Sequence, residues 1–298
     1  MAYLFVHFTV EKLGGEQVYF SISRDGLHWQ DLHQEQPVLR SNLGEKGVRD
    51  PFIVQHPLNG RYHLIATDLC IQARQEDWYG AVHHGSRNVI IWDSDDLIHW
   101  SAPRAVPISP EGAGCTWAPE AVWDAKRQAF LVFFACHTGE GAEARHRIWA
   151  AHTTDFSVFT PPFPYIEREK GIIDTTIIRE NGLYYRFSKD ETTSRIRVDK
   201  GAELLGNFDP VDCPVLDALP GLEGPECYQL PDGRWCLICD QFRVRKGYLP
   251  IIIDDLSAMA LHPLQPQEYD LGRVLKRHGG VLRIEDDAYD RLIAHYGL

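Results

Sequence analysis

"SRDGLHW" at residues 23–29 and "SDDLIHW" at residues 94–100 share one pattern, in which Ser, Asp and Trp recur at the same spacing. "TTDFSVF" at residues 153–159 follows the pattern with conservative changes, and "DDLSAM" at residues 254–259 is a weaker copy. The Asp of such a segment can close a turn through its side chain, while the aromatic ring packs between neighbouring sheets. The repeat therefore indicates that one β-structured unit recurs along the chain.

Short apolar or aromatic runs alternate with turns around these copies. VYFSIS, YHLIATD, AFLVFFACH and LPIIID are examples, and DG, NG and PDG sequences typical of hairpins separate such runs. Grouping the runs into four-stranded units places the first strands 49–67 residues apart, near Asp50, Trp117, Asp174, Glu223 and His278. We therefore predict an all-β protein, a five-bladed β-propeller that occupies residues 1–298 as a single domain. An eight-strand barrel and a β-sandwich are the alternatives.

The two ends of the chain are expected to complete the same ring. The predicted strands of residues 3–32 lack an innermost strand, and "GGVLRI" at residues 279–284 has no blade of its own. Pairing these segments would close the propeller and leave no long exposed edge. "EDDAYDRLIAHY" at residues 285–296 has acids in its first turn and apolar residues at helical spacing, which predicts a short C-terminal helix.

Composition excludes several classes of partner. The net charge of −12 argues against nucleic acid, because phosphate binding requires a basic stripe. No apolar run approaches the ~20 residues of a membrane helix, and the opening "MAYLFVHFTVEKLGG" lacks the pattern of a signal peptide. We expect a neutral ligand, no membrane partner and a cytoplasmic location, and the sequence leaves the oligomeric state undetermined.

The seven cysteines do not suggest a disulfide framework, because their number is odd and they are scattered. A reducing compartment suits them. Cys236 and Cys239 form a CxxC, but they lie in the strand-like run "RWCLICD", where positions three apart point to opposite faces. We therefore predict that they pack in the interior and bind neither zinc nor a redox partner.

Polar residues begin the predicted innermost strands, whose starts converge on one mouth of a propeller channel. They are Asp50 in RDP, Glu120 in WAPE, Asp174 in IIDT, Glu223 in EGPE and His278 in RHGG. A turn, a solvated loop or a strand cap would explain each one singly. Converging carboxylates repel one another and cost stability, so their recurrence indicates a functional site.

Taken in order, RDPFIV, WAPEAVWD, IIDTTII, EGPECYQLPDGRW and the outer-blade SDDLIHW resemble glycoside hydrolase family 43. That family comprises five-bladed propeller glycosidases, including α-L-arabinofuranosidases, β-xylosidases, arabinanases and some galactan-cleaving enzymes. The resemblance spans nearly the whole chain and implies that Asp50 is the general base and Glu223 the general acid. It implies that Asp174 orients the acid and raises its pKa. Hydrolysis by inversion needs the acid and base on opposite faces of the sugar, roughly 6.5–9.5 Å apart.

Two departures from the family pattern affect this assignment. Glu120 stands where the family has an aspartate after WAP, and 49 residues precede Asp50 although the base is normally near the start of the chain. The short motifs RDP and PEC also resemble the retaining fructosidases, in which Glu226 would be the acid. That family needs an Asn-Asp-Pro motif and usually a second β-sandwich domain, neither of which is found in this sequence.

The resemblance and the positions of aromatic and cationic residues predict further contacts. We expect substrate contacts from Arg49, Trp78, Trp117, Glu120 and Arg277. Trp78 lies in "QARQEDWYGAVHHGSR", the longest insertion within a blade, and such loops tend to be functional. Some family members hold a channel cation through a histidine, so His278 is a candidate metal ligand, with calcium as the structural ion. The expected reaction requires no cofactor.

The predicted function is that of a cytoplasmic, inverting exo-glycosidase. It would remove a terminal pentose, α-L-arabinofuranose or β-D-xylose, from oligosaccharides. A galactose-specific glycosidase of the same fold and a non-catalytic sugar-binding propeller are alternatives. A glycoside phosphorylase would need a basic phosphate pocket, for which Arg243, Arg245 and Lys246 form the candidate cluster.

Overall fold

Twenty strands form five four-stranded antiparallel sheets in a computed structural model that describes residues 1–298. The chain begins with β1 (Ala2–His7), β2 (Tyr19–Ser23) and β3 (Trp29–Asp31), which belong to the last blade, V. Blade I contains β4 (Val48–Gln55), β5 (Tyr62–Asp68), β6 (Asn88–Ser94) and β7 (Arg104–Pro107). Blade II contains β8 (Trp117–Asp124), β9 (Ala129–Thr138), β10 (Arg145–Thr153) and β11 (Phe163–Ile166).

The remaining blades follow in chain order. Blade III contains β12 (Ile172–Glu180), β13 (Leu183–Asp190), β14 (Arg195–Gly201) and β15 (Asp209–Val211). Blade IV contains β16 (Glu223–Gln229), β17 (Trp235–Asp240), β18 (Tyr248–Asp255) and β19 (Ala260–Pro263). Blade V is completed by β20 (Gly279–Ile284) and has the strand order β20-β1-β2-β3. The prediction of an all-β, five-bladed propeller is confirmed; its assignment to a single domain over residues 1–298 stays a prediction.

Few helices accompany the sheets. They are α1 (Trp78–His83), α2 (Pro214–Asp217) and α3 (Asp286–Tyr296), with 3₁₀ turns at His33–Glu35 and Gly141–Glu143. None of the three α-helices has the length and apolar character needed to cross a membrane. The C-terminal helix predicted from "EDDAYDRLIAHY" is α3.

The ring closes by pairing the two ends of the chain, as predicted. β1 pairs antiparallel with β20, so that Leu4 lies opposite Leu282 and Phe5 opposite Val281. α3 then packs Tyr289 and Leu292 onto the same apolar cluster as Leu4. Closure therefore satisfies the edge of β1 through backbone hydrogen bonds and covers its apolar face with a helix.

The repeated segments have the roles predicted for them. Asp25 accepts hydrogen bonds from the backbone N–H groups of Leu27 and His28, both at 2.8 Å. Asp96 does the same for Ile98 and His99, at 2.9 and 2.8 Å. Trp29, the aromatic residue of the first copy, packs in one cluster with Tyr3 and Phe5 of blade V and Tyr228 of blade IV. The repeat thus closes outer turns and fills the spaces between blades.

The cysteines pack in the interior as single thiols. All seven are free, and six are buried. Cys236 joins the cluster between blades IV and V, whereas Cys239, three positions on, joins the cluster between blades III and IV. The two side chains of the CxxC therefore point to opposite faces of β17, as strand geometry predicts.

Candidate active site

Four of the five inner strands carry a β-bulge near their first residues. In β4, β8, β12 and β16 the pairing register with the neighbouring strand shifts after Arg49, Trp117, Ile173 and Glu223 respectively. The residue that follows each of these has a left-handed backbone, with φ of 49° at Asp50, 47° at Ala118, 47° at Asp174 and 53° at Gly224. This conformation costs a residue with a Cβ about 1–2 kcal/mol, and such strain clusters at functional sites.

The bulged ends of the inner strands surround a cavity of about 760 Å³. Eight of the nine residues predicted for the site line it: Asp50, Asp174, Glu223, Arg49, Trp78, Trp117, Arg277 and His278. Glu120 is the exception. Lys189, Glu191 and Glu11 also line the cavity, although they belong to none of the motifs that predicted the site.

The bulges correct the predicted equivalence of the blade starts. Asp50 and Asp174 occupy the left-handed position of their bulges, whereas in blade IV this position is taken by Gly224 and the carboxylate is supplied by the preceding residue, Glu223. Glycine is required there, because a Cβ on residue 224 would lie 2.6 Å from Cγ of His278. The proposed acid is therefore one position out of register with the other two carboxylates.

Asp50 is held as an ionised carboxylate. The Thr67 hydroxyl donates a 2.8 Å hydrogen bond to Oδ2, and Nδ1 of His278 lies 3.4 Å from Oδ1. Thr67 is itself fixed by the backbone N–H of Ala118, which donates to its Oγ1 at 2.7 Å. Burial would raise the pKa of Asp50, but the His278 hydrogen bond and the charges of His278 and Arg49 bring it below its ordinary value. An ionised Asp50 can accept a proton, as a general base must.

His278 links two of the three carboxylates. Its Nδ1 lies 3.8 Å from Oδ1 of Asp174, in addition to its contact with Asp50. Burial lowers the pKa of His278, but Asp174 and Asp50 outweigh burial and raise it to about 9. His278 therefore carries a proton near neutrality and acts as a cation between the two acids.

The metal ligand role of His278, with calcium as the ion, stays a prediction. Calcium takes six to eight oxygen ligands. No group of three or more His, Cys, Asp or Glu side chains is arranged to hold a metal ion. In the structure, the imidazolium of His278 supplies positive charge beside the two acids.

Asp174 lies between His278 and the proposed acid. Its Oδ2 accepts a 3.0 Å hydrogen bond from the backbone N–H of Gly224, the neighbour of Glu223. Burial raises the pKa of Asp174 above its ordinary value, although the charges of His278 and Lys189 act to lower it. This geometry suits a residue that orients the segment carrying the acid.

Glu223 forms two ion pairs across the cavity. Lys189 donates to Oε2 at 2.8 Å and Arg277 donates to Oε1 at 3.0 Å. Burial would raise the pKa of Glu223, but Lys189 and Arg277 outweigh it, so that the pKa is below its ordinary value. The expectation that Asp174 would keep Glu223 protonated is therefore wrong for the unliganded cavity, because Glu223 pairs with Lys189, which no sequence motif indicated, and with Arg277, which was predicted to contact substrate.

Arg277 is shared among several acids. Besides Glu223, it donates to Glu11 at 2.8 Å and to Asp240, which is fully buried behind it. Burial raises the pKa of Asp240 to about 7. The guanidinium predicted to contact substrate is thus already engaged by three carboxylates and joins blades IV and V at the cavity wall.

Arg49 anchors the insertion of residues 72–87. Its guanidinium donates to Glu11 at 3.2 Å and to the buried Glu16 at 3.0 Å. Glu16 also accepts hydrogen bonds of 3.0 Å from the backbone N–H groups of Ile71 and Gln72, where the insertion begins. The predicted substrate contact therefore also fixes the loop that forms part of the cavity wall.

Trp78 and Trp117 form an aromatic corner of the cavity. Their ring centroids are 6.4 Å apart with an interplanar angle of 85°. Trp78 begins α1, and the Asp77 side chain caps this helix by accepting the Gly80 N–H at 2.8 Å. Trp78 is 44% exposed, so its ring is open to a ligand that enters the cavity.

Glu120 and Glu226 lie below the cavity wall, which corrects the prediction that Glu120 contacts substrate. They follow the bulges by two residues and are both 3% exposed. Glu226 accepts a 2.8 Å hydrogen bond from the Val281 N–H and a 3.4 Å hydrogen bond from the Thr176 hydroxyl. Neither glutamate lines the cavity, so the alternative in which Glu226 acts as a retaining fructosidase's acid is not supported.

Replacing Glu226 with Gln should make the protein more stable at alkaline pH. Burial raises the pKa of Glu226 to about 8. The folded state then holds a proton that the unfolded state releases above about pH 4.5, so stability falls as pH rises toward 8. The amide cannot ionise and still offers an oxygen to Val281. The measurement is the free energy of unfolding in urea at pH 6 and pH 9. Between these two pH values the variant should lose less of this free energy than the parent protein, by on the order of 3 kcal/mol.

The exposed Glu111, changed to Gln, is the control for that measurement and should leave the pH dependence as it is in the parent protein. Equal losses of stability between pH 6 and pH 9 in the parent and Glu226→Gln would mean that Glu226 is already ionised in the fold.

Comparisons with known proteins agree with the predicted family and fold. A family model described as a probable glycosyl hydrolase domain, related to glycosyl hydrolase family 43, matches residues 1–290. An α-L-arabinofuranosidase of Bifidobacterium longum subsp. longum is 31% identical over 211 residues, which is 63% of this chain and 19% of that protein. The chain therefore spans about a fifth of the length of this curated relative.

Solved structures share the fold at low sequence identity. An endo-1,4-β-xylanase from Bacteroides thetaiotaomicron superposes with a TM-score of 0.61 at 15% identity, covering 94% of both chains. An exo-β-1,3-galactanase from Phanerochaete chrysosporium gives 0.60 at 11% identity, covering 86% of this chain and 58% of that one. At these identities the structural likeness shows the fold alone.

Proposed function

Because the chain belongs to the glycosyl hydrolases related to family 43, we propose that it is an inverting exo-glycosidase that removes a terminal pentose from neutral oligosaccharides. The observation that carries the proposal is the convergence of Asp50, Asp174 and Glu223 on one cavity, with Asp50 held ionised by His278 and Thr67. The terminal sugar would be α-L-arabinofuranose or β-D-xylose.

In the proposed reaction, Asp50 accepts a proton from a water molecule as this water attacks the anomeric carbon. Glu223 donates a proton to the oxygen of the leaving group, so the bond from that oxygen to the anomeric carbon breaks as the new bond to water forms. The two carboxylates belong to blades I and IV, which are not neighbours in the ring, and this leaves room for sugar and water between them. The anomeric configuration is inverted by a single displacement.

Glu223 must carry a proton before it can act as the acid. In the unliganded cavity Lys189 and Arg277 favour its ionised form. We infer that substrate binding weakens these ion pairs, because sugar hydroxyls that enter the cavity offer Lys189 and Arg277 alternative acceptors. Exclusion of water by the substrate acts in the same direction, since desolvation raises the pKa of a carboxyl group.

Exo action is supported by the lower end of the cavity. The side chains that follow the bulges by two residues fill the channel beneath it: Phe52, Glu120, Thr176 and Glu226. Three of the four are buried, and a Cβ on Gly280 would lie 2.8 Å from the Phe52 ring, so this layer is packed. Such a floor limits how deep a sugar can enter, and we infer that the cavity accepts the end of an oligosaccharide.

The identity of the sugar is proposed from similar proteins. The α-L-arabinofuranosidase relative favours a pentose. Galactose is the second candidate, because the exo-β-1,3-galactanase shares the fold with a TM-score of 0.60. A phosphorylase would need a free basic cluster on the cavity. Of Arg243, Arg245 and Lys246, only Arg245 lines the cavity, and Arg243 donates a hydrogen bond to the hydroxyl of Ser194.

A panel of 4-nitrophenyl glycosides tests the proposal. We expect kcat/KM to be highest for the α-L-arabinofuranoside or the β-D-xyloside, and NMR of the first product should show an inverted anomeric centre. A higher value for the β-D-galactoside would select the second candidate. A product with retained configuration, turnover that requires added phosphate, or no turnover of any glycoside would overturn the proposal.

A further inference from the structure

A chain of three side chains runs from the interior of blade II to the cavity wall. Sγ of Cys115 lies 3.6 Å from Nε2 of His146, and Nδ1 of His146 lies 2.8 Å from Oε2 of Glu191. Cys115 is fully buried and His146 is 5% exposed, so only Glu191 reaches the cavity. The proposed hydrolysis uses none of these three residues.

His146 fixes the charge and direction of the Glu191 carboxylate. Burial lowers the pKa of His146, but its hydrogen bonds with Cys115 and Glu191 raise it to about 9. The imidazolium therefore donates its Nδ1–H to Oε2 of Glu191. The pKa of Glu191 lies below its ordinary value, because His146 and the charge of Lys189 outweigh burial. Glu191 thus presents an ionised carboxylate whose Oε1 accepts no hydrogen bond from the protein.

An aromatic surface adjoins this carboxylate. The Trp117 ring lies against His146, with centroids 5.2 Å apart and planes inclined by 31°. The Trp78 ring is nearly perpendicular to that of Trp117, and both indole rings line the cavity with Glu191. A flat apolar face beside a free hydrogen-bond acceptor matches the surface of a sugar ring, which has apolar C–H groups on its faces and hydroxyl donors at its edges.

The carboxylate lies nearer the mouth of the cavity than the catalytic groups. The Glu191 side chain is 34% exposed, compared with 14% for Asp50, 9% for Asp174 and 17% for Glu223. In a cavity closed at its floor, the terminal sugar occupies the inner end and the next sugar lies toward the opening. A side chain near the mouth is therefore placed to contact the sugar that leaves.

We propose that Glu191 and Trp117 form a subsite for the leaving-group sugar, a neutral saccharide that donates a hydroxyl to Oε1 of Glu191. His146 and Cys115 are positioning residues that hold the carboxylate in place. A uronic acid at this position would be disfavoured, because its carboxylate would face that of Glu191. The inference rests on the proposed function and adds the recognition of the aglycone to it.

Glu191→Gln tests the subsite with two substrates that share the glycone preferred in the screen. One is the 4-nitrophenyl glycoside and the other is a disaccharide with a neutral reducing sugar. We expect kcat/KM for the disaccharide to fall at least tenfold more than kcat/KM for the aryl glycoside, mainly through a higher KM. Glu169→Gln, in a side chain that is 90% exposed and pairs only with Lys170, is the matched control and should affect both substrates equally.

His146→Gln tests the positioning role. Loss of the imidazolium should raise KM for the disaccharide more than for the aryl glycoside, whereas a general loss of structure would lower kcat for both and lower the unfolding temperature. Equal effects of Glu191→Gln on the two substrates, or no effect on either, would overturn the subsite.

Binding is measured separately from hydrolysis, so that failure of one proposal is distinguishable from failure of the other. Tryptophan fluorescence of Asp50→Asn is titrated with short neutral oligosaccharides, with and without the Glu191→Gln change. Binding that weakens at least tenfold in the double variant supports the subsite even if the parent protein hydrolyses no glycoside. Unchanged affinity would overturn the subsite even if the hydrolysis proposal holds.

Discussion

Replacing Asp50 with Asn should lower kcat by about 10³-fold and leave the fold and substrate binding intact. An amide cannot accept the proton of the attacking water. Its oxygen can still accept the 2.8 Å hydrogen bond that Thr67 donates to Asp50, so the bulge of β4 should keep its geometry. The measurement is kcat and KM on the preferred aryl glycoside, together with the circular dichroism spectrum and the unfolding temperature.

Asp95→Asn is the matched control for this variant. The Asp95 side chain is 86% exposed and pairs only with Arg61, at 3.5 Å, so its replacement should leave kcat unchanged. A kcat for Asp50→Asn within tenfold of the parent value, with the fold retained, would remove Asp50 from the role of base. Asp174 would then be the next candidate, because His278 contacts both acids.

Replacing Glu223 with Gln should produce a loss that depends on the leaving group. For an oligosaccharide, whose departing alkoxide must be protonated, we expect kcat/KM to fall by about 10²-fold or more. For a 2,4-dinitrophenyl glycoside, whose leaving group departs without a proton, the fall should be much smaller. The amide oxygen can still accept a hydrogen bond from Lys189 or Arg277, which bind the carboxylate at 2.8 and 3.0 Å.

The pH profile gives a second measurement of the same role. Because Glu223 must be protonated, the parent activity should decline as pH rises through its pKa, and this alkaline limb should be absent in Glu223→Gln. The decline of kcat/KM with rising pH reports the pKa of Glu223 in the free enzyme. It should occur at acidic pH, because Lys189 and Arg277 lower this pKa in the unliganded cavity. The decline of kcat with rising pH reports the pKa of Glu223 in the enzyme–substrate complex. It should occur at a higher pH if substrate weakens those ion pairs. An equal loss for both leaving groups, with the alkaline limb retained, would contradict the acid assignment.

The propeller was predictable because its signals are local. Turn residues and alternating runs of the YHLIATD type specify strands and hairpins within one blade, and the repeated Asp of SRDGLHW and SDDLIHW closes the same turn in two blades. Ring closure was also predictable. The strands of residues 3–32 lack an innermost strand, and the strand at 279–284 lacks a blade, so the two segments were expected to pair, as β1 and β20 do. The ordered motifs RDP, IIDT and EGPE likewise located three carboxylates that do meet in one cavity.

Their protonation was not predictable, and neither was the exact alignment of the blade starts. The shift of one residue between Asp50 and Glu223 follows from the close approach of His278 to Gly224, two residues of different blades. Lys189 and Glu191 occur in an ordinary strand and turn, and nothing near them in the sequence indicates that one binds Glu223 and the other His146.

The sequence by itself determined the strand order, the family and three of the acids on the cavity wall, Asp50, Asp174 and Glu223, because local propensity and motif order are properties of short segments. Only the tertiary structure decided which acids are ionised, that Glu120 and Glu226 lie beneath the cavity, and that Cys115, His146 and Glu191 form one chain. The physical reason is that a pKa and a hydrogen bond depend on distances of a few ångströms. Those distances exist only after residues far apart in the sequence are brought together by closure of the ring.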